Sequence, residues 1–131
     1  MNIQQREMWV RLAIRSAQMV RDECQFEQMR QWDMWANNWL SGHNRTKENA
    51  IFAIQIADNC RVITLGQPTE SLESAVFASE AARQHCSSNG WATEWVLIYV
   101  FRAINMATTS LVQFSLADLI DEVFTKNEEI L

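Results

Sequence analysis

Three glycines and a single proline in 131 residues leave this chain almost without the residues that turn a backbone sharply. Folds made of many short strands need such residues at each reversal, so a β-sandwich or barrel is excluded and helices joined by few breaks are expected. Hydrophobic residues make up 48% of the chain and charged residues 21%. That is enough apolar side chain to offset the entropy of ordering one core, which argues against disorder. The length suits one domain over residues 1–131 and leaves no room for a multidomain enzyme.

Helical periodicity places the elements. Trp9, Leu12, Ala13, Ser16 and Val20 recur on one face between Gln5 and Val20, with Arg6, Arg11, Arg15 and Arg21 largely elsewhere around the wheel. Phe26, Met29, Trp32, Trp35, Ala36, Trp39 and Leu40 predict a second helix after a break near Cys24 or Gln25, closed by Ser41-Gly42. Asn44 or Thr46 is placed to cap a third, which carries Ala50, Ala53, Ile54, Ala57 and Cys60, widened by Ile51, Phe52 and Ile56, and is expected to be more buried than the first. Gly66 and Pro68 then punctuate the chain, Thr69 or Ser71 is a candidate cap, and a fourth helix turns Leu72, Ala75, Val76, Ser79, Ala82 and Cys86 inward.

After the turn Ser87-Ser88-Asn89-Gly90, Trp91 to Ala107 is apolar almost all round, the pattern of a central helix. Val96, Ile98, Tyr99 and Val100 would also suit a strand, but such a strand has no partner elsewhere in the chain. Ser115 and Asp118 mark the start of a last helix with the stripe Leu116, Leu119, Ile120, Val123 and Phe124, and Thr108 to Ser110 make a break before it. The expected fold is an all-α, single-domain bundle of about five to six helices. Glu48-Asn49-Ala50-Ile51-Phe52-Ala53 through Ala57 also matches Glu73-Ser74-Ala75-Val76-Phe77-Ala78 through Ala82 at an offset of 25 residues. Either a duplicated helix or convergence on an alanine-rich packing face produces that likeness.

Charge narrows the partners. The formal net charge is −5, so attraction to phosphate backbones, and hence nucleic acid, is not expected. Residues 66–131 hold three basic and nine acidic groups against eight and seven in residues 1–65, so the acidity belongs to the second half. Cys24, Cys60 and Cys86 are odd in number, far apart and without a CxxC pair, which suggests free thiols rather than disulfides or zinc. The polar start Met1 to Glu7 is unlike a secretory signal, and the longest apolar run, Trp95 to Phe101, is seven residues. About 20 are needed to span a bilayer. A soluble, cytoplasmic protein without a membrane partner is expected.

Catalytic motifs are lacking. His43 and His85 are not at metal-ligand spacing with a second ligand, and His85 and Cys86 are adjacent, so a helix points them about 100° apart. No GxGxxG, Walker, GxSxG or HExxH pattern occurs. The carboxylate pairs Glu23/Glu27 and Asp118/Glu122 lack the Glu-x-x-His partners of a ferritin-like site. No enzyme activity, metal or cofactor is expected. Tryptophan stands out instead. Trp32, Trp35 and Trp39 share one helix face, Trp91 and Trp95 share another, and Trp9 is the sixth. Six indoles, each burying on the order of 150–250 Å², either fill the core or leave one or two as anchors for a protein partner.

The tract Trp39-Leu40-Ser41-Gly42, the alanine-containing helix from Glu48, the helix Glu73 to Arg83 and the alanine-containing helix after it resemble the small all-helical immunity proteins of bacterial polymorphic toxin systems, over about residues 9–107. The resemblance implies a cytoplasmic, non-catalytic inhibitor that neutralises a cognate toxin by direct binding. An acidic surface suits a basic, nuclease-type toxin through charge steering. The candidate contacts are Glu70, Glu73 and Glu80 on the fourth helix or Asp118, Asp121 and Glu122 on the last, around a tryptophan centre. Two alternatives are a phage-type anti-defence (anti-CRISPR-like) protein that blocks a nucleic-acid-binding surface, and a helical bundle that binds a small ligand in a pocket of Trp and Met.

Overall fold

The computed structural model describes residues 1–21, 26–63 and 69–125. Among these residues the regular structure is helical and no strand occurs. The elements are α1 (Ile3–Met19), α2 (Met29–Leu40), α3 (Lys47–Ile63), α4 (Glu70–His85), α5 (Ala92–Thr109) and α6 (Leu116–Ile120), the last continuing into a π-helical turn, Asp121–Thr125. α1, α4 and α5 pack against one another, α3 lies on α4, α2 lies on α3, and the C-terminal segment lies on α1.

Local chemistry sets most of the helix ends. α1 starts earlier than its apolar stripe, because Asn2 and Gln5 form a reciprocal capping box with bonds of 2.8 and 3.0 Å. α2 ends at Gly42, whose φ of +89° is the left-handed conformation that glycine adopts without strain. Thr46 Oγ1 accepts the Asn49 amide at the start of α3, and Ser115 Oγ accepts the Asp118 amide at the start of α6. The expected cap of α4 is not made: Thr69 stands at the N-cap without a side-chain bond, and Ser71 Oγ is buried without a partner. The breaks read at Cys24-Gln25 and Gly66-Pro68 lie outside the described residues.

α4 is the central helix, which corrects the expectation for α5. Ser71, Ser74, Ala75, Ala78, Ser79, Ala81 and Ala82 are all buried on it. Small side chains let three neighbours approach one axis, whereas the large side chains of α5 leave no room for a third. The alanines of the sequence match do the packing on both copies: Ala50, Ala53 and Ala57 on α3, and Ala75, Ala78 and Ala82 on α4. The buried hydroxyls other than that of Ser71 are bonded within this core. Ser74 Oγ donates to the Ala103 carbonyl at 2.8 Å and ties α4 to α5, and Ser79 Oγ donates to Ala75 O at 2.8 Å while accepting the Trp32 indole N–H at 2.8 Å.

Two further expectations change. α3 is less buried than α1, with Phe52 exposed and Ile51 and Ile54 half-buried, because α2 and α4 cover only part of its wide stripe. Cys86 is exposed rather than inward, since it follows the last turn of α4. The C-terminal segment adds a small second core in which Leu119 and Val123 pack on Met8 and Leu12.

Candidate protein-binding surface

The face of α5 toward the bundle is lined by Ala92, Val96, Val100, Ala103 and Ala107, all buried. The opposite side carries Trp91 at the N-cap and then Trp95, Ile98 and Phe101, with 66%, 46%, 39% and 54% of their surface exposed. Their spacing of four, three and three residues makes one continuous apolar stripe. The helix is apolar all round in sequence, but α1 and α4 take only the small and β-branched side of it. The bulky side is left to solvent.

Half-buried aromatic rings hold this stripe on both flanks. Trp95 stacks on Tyr99 at 6.1 Å, Tyr99 on Phe77 at 6.3 Å, and the Arg102 guanidinium lies 5.8 Å from both the Tyr99 and Phe77 ring centres. On the other side Phe101 meets Trp9 edge-on at 5.7 Å, and Trp9 meets Phe124 at 5.1 Å. Rings packed this way have lost most of their rotamer freedom before any partner arrives, so binding orders them at little further cost. Glu94, Arg102 and Asn105 supply a polar border.

The six tryptophans divide accordingly. Trp32, Trp35 and Trp39 are core, Trp9 is half-buried, and Trp91 and Trp95 are surface. The acidic candidates divide as well. Glu70, Glu73 and Glu80 are half-buried on α4, with Glu80 3.4 Å from Arg83, whereas Asp118 and Asp121 are exposed beside α1. Glu122 is bound by Arg15 at 2.9 Å, which joins the C-terminal segment to α1. The aromatic stripe is thus a separate feature from either acidic group, and its signal in the sequence was the i, i+4 tryptophan pair.

At the end of the bundle where α1 begins and α4 finishes lies a polar network that the sequence does not announce, since its members are up to 79 residues apart. Arg6 Nε donates to His85 Nδ1 at 2.9 Å and its Nη2 to His85 O at 3.1 Å. Glu7 accepts from Arg11 and Arg45, and Arg45 also donates to Trp39 O at 2.7 Å with its guanidinium 4.1 Å from the Trp39 ring centre. Burial, reinforced by Arg6, pushes the His85 pKa down to about 4, so the imidazole is neutral at physiological pH. Burial also pushes Glu7 upward, but the two arginines outweigh it and the carboxyl titrates below its usual range.

Partial burial of the sulfur, helped by Glu48, raises the Cys86 thiol, and its S–H points to the Arg45 and Ala82 carbonyls at 3.3 and 3.4 Å. With the His85 Nδ1 lone pair taken by Arg6, that nitrogen is not free to accept the proton of the adjacent thiol. Among the described residues no three His, Cys, Asp or Glu side chains gather as a metal site, and no helix is long and apolar enough to cross a membrane. Comparison of the chain with family models, curated proteins and solved structures finds no match.

Proposed function

We propose that this chain is a non-catalytic protein-binding inhibitor, of the immunity type, that covers the working surface of a basic, nuclease-type toxin. The observation that carries the reading is the Trp91-Trp95-Ile98-Phe101 stripe, three large apolar side chains held outward on one helix and a fourth at its N-cap. Contiguous exposed apolar side chains rimmed by polar groups are the usual mark of a protein interface, and tryptophan is enriched at its energetic centre. A net charge of −5, with Asp118 and Asp121 exposed on the C-terminal segment, speeds encounter with a basic partner without supplying much of the final affinity.

Affinity capture from the native host with mass spectrometry, run in parallel for the natural chain and for Trp95→Ala and Phe101→Ala, tests this. Recovery of a basic nuclease domain by the natural chain, and its loss with both variants, is the expected result. A partner that is a nucleic-acid-binding defence protein would move the reading to the anti-defence alternative. Capture indifferent to both substitutions overturns it.

One observation favours a second reading, a small-ligand binder. Between α2 and α3 a groove of about 330 Å³ is lined by Met34, Trp35, Phe52, Asn38, Asn44 and Asn49, among other side chains. The Trp35 indole N–H is buried without an acceptor. A metabolite panel that quenches tryptophan fluorescence in the natural chain but not in Asn38→Ala would support this reading.

A further inference from the structure

A second cavity differs from the rest of this acidic chain. It opens where the turn after α4 meets the first residue of α3, has a volume of about 330 Å³, and is lined by Lys47, Arg83, Gln84, Cys86, Ser87 and Ser88. Two cations, two hydroxyls, a carboxamide and a protonated thiol form the wall, with no carboxylate among them.

The neighbouring elements keep this end of the bundle positive. Arg6 and Arg11 from α1 and Arg45 from the loop before α3 join Lys47 and Arg83, against the carboxylates Glu7, Glu48 and Glu80. Arg6 covers the His85 carbonyl and so offsets the negative end of α4, while the neutral His85 adds no charge of its own. The positive end of α3 begins at Lys47 itself. Arg45 Nη2 is buried without an acceptor, and the Arg45 carbonyl receives the Cys86 thiol of the cavity wall. Ser87 Oγ accepts the Asn89 amide at 3.1 Å, which leaves its own proton to donate. Arg83 is held by Glu80 only at 3.4 Å, and Lys47 stands exposed on the first turn of α3.

We propose that this cavity binds a phosphoryl oxyanion, with Lys47 and Arg83 supplying charge and the Ser87 and Ser88 hydroxyls donating to its oxygens. The chemistry is shared by inorganic phosphate and by a phosphomonoester on a peptide. The site is independent of the α5 stripe, so its test requires no protein partner.

Amide NMR spectra of the full chain are recorded during titration with inorganic phosphate, and separately with a phosphoserine tripeptide, at constant ionic strength maintained with sodium chloride. Saturable shifts confined to Lys47 and its neighbours and to residues 83–89 are expected, weakened about tenfold by Lys47→Gln or Arg83→Gln, in line with the loss of one charge-assisted hydrogen bond. Tighter binding of the tripeptide assigns the source to a phosphomonoester, and tighter binding of phosphate assigns it to the free ion. Shifts that fail to saturate, that chloride reproduces, or that survive Lys47→Gln overturn the proposal. Lys47 is exposed, so that variant keeps the fold and serves even where loss of the Arg83–Glu80 contact disturbs the last turn of α4.

Discussion

The Trp32–Ser79 hydrogen bond is the most informative place to perturb this fold. Both side chains are fully buried, and the indole N–H meets Ser79 Oγ at 2.8 Å. Ser79→Ala removes the acceptor and leaves the donor with no water to replace it, which costs about 1–3 kcal/mol. Alanine returns about 0.5 kcal/mol of helix propensity, for a net loss of about 0.5–2.5 kcal/mol. Unfolding entropy near 2.1 cal/mol/K per residue comes to about 0.28 kcal/mol/K for this chain, so Tm falls by about 2–9 °C. Urea and thermal unfolding of the natural chain, Ser79→Ala, Trp32→Phe and the double variant would measure it, with the exposed Ser41→Ala as a reference. Once Trp32→Phe has removed the donor, Ser79→Ala should cost about 1 kcal/mol less than it does alone. A single Ser79→Ala loss under 0.5 kcal/mol, or strict additivity in the double variant, would refute the reasoning.

Four other outcomes are expected. Stability should decline as pH falls from about 6.5 toward 4, because the unfolded chain protonates His85 before the folded one does. A fully buried ring would contribute about 3 kcal/mol, which solvent access at its open edge reduces to about 1–2 kcal/mol; in His85→Gln, acid titration of urea midpoints should show a flatter curve over that window. Ala78→Leu, at a fully buried position of α4, should cost at least about 1–3 kcal/mol by overpacking in the same urea assay. Trp95→Ala and Phe101→Ala should leave Tm within about 3 °C of the natural chain while weakening the captured complex by about thirtyfold, or 2 kcal/mol, in calorimetric titration. Association with that partner should slow steeply with added salt in stopped-flow mixing, and a salt-independent rate would remove charge steering.

The alanine match between Glu48–Ala57 and Glu73–Ala82 shows how far pattern reaches. Its periodicity identified two packing faces correctly, and the structure places both sets of alanines in the core. Apolar patterning alone misranks α4, with three neighbours, against α5, apolar all round yet covered only on one side. All-round apolarity alone put the wrong helix at the centre. Residue volume carried the missing information, since Ala78, Ala81 and Ser79 admit close backbones where Trp95 and Phe101 do not. The acidic candidates were readable as residues but not as a patch, because whether Glu122 is offered to a partner or spent on Arg15 depends on a residue more than a hundred positions away.

From the order of residues alone came the helical class, the closure of α2 at Gly42, the cap at Ser115, the choice of Asn44 or Thr46 as the cap of α3, and the grouping of tryptophans by helix face. Each depends on interactions within a few residues, which sequence spacing specifies directly. Tertiary packing decided which of those faces solvent would see. It buried Trp32 and Trp39, left Trp91 and Trp95 outside, and assembled Arg6, Glu7, Arg45 and His85 into one network. Those outcomes follow from how side-chain volumes fit between particular helices, a property of the whole set that no single segment contains.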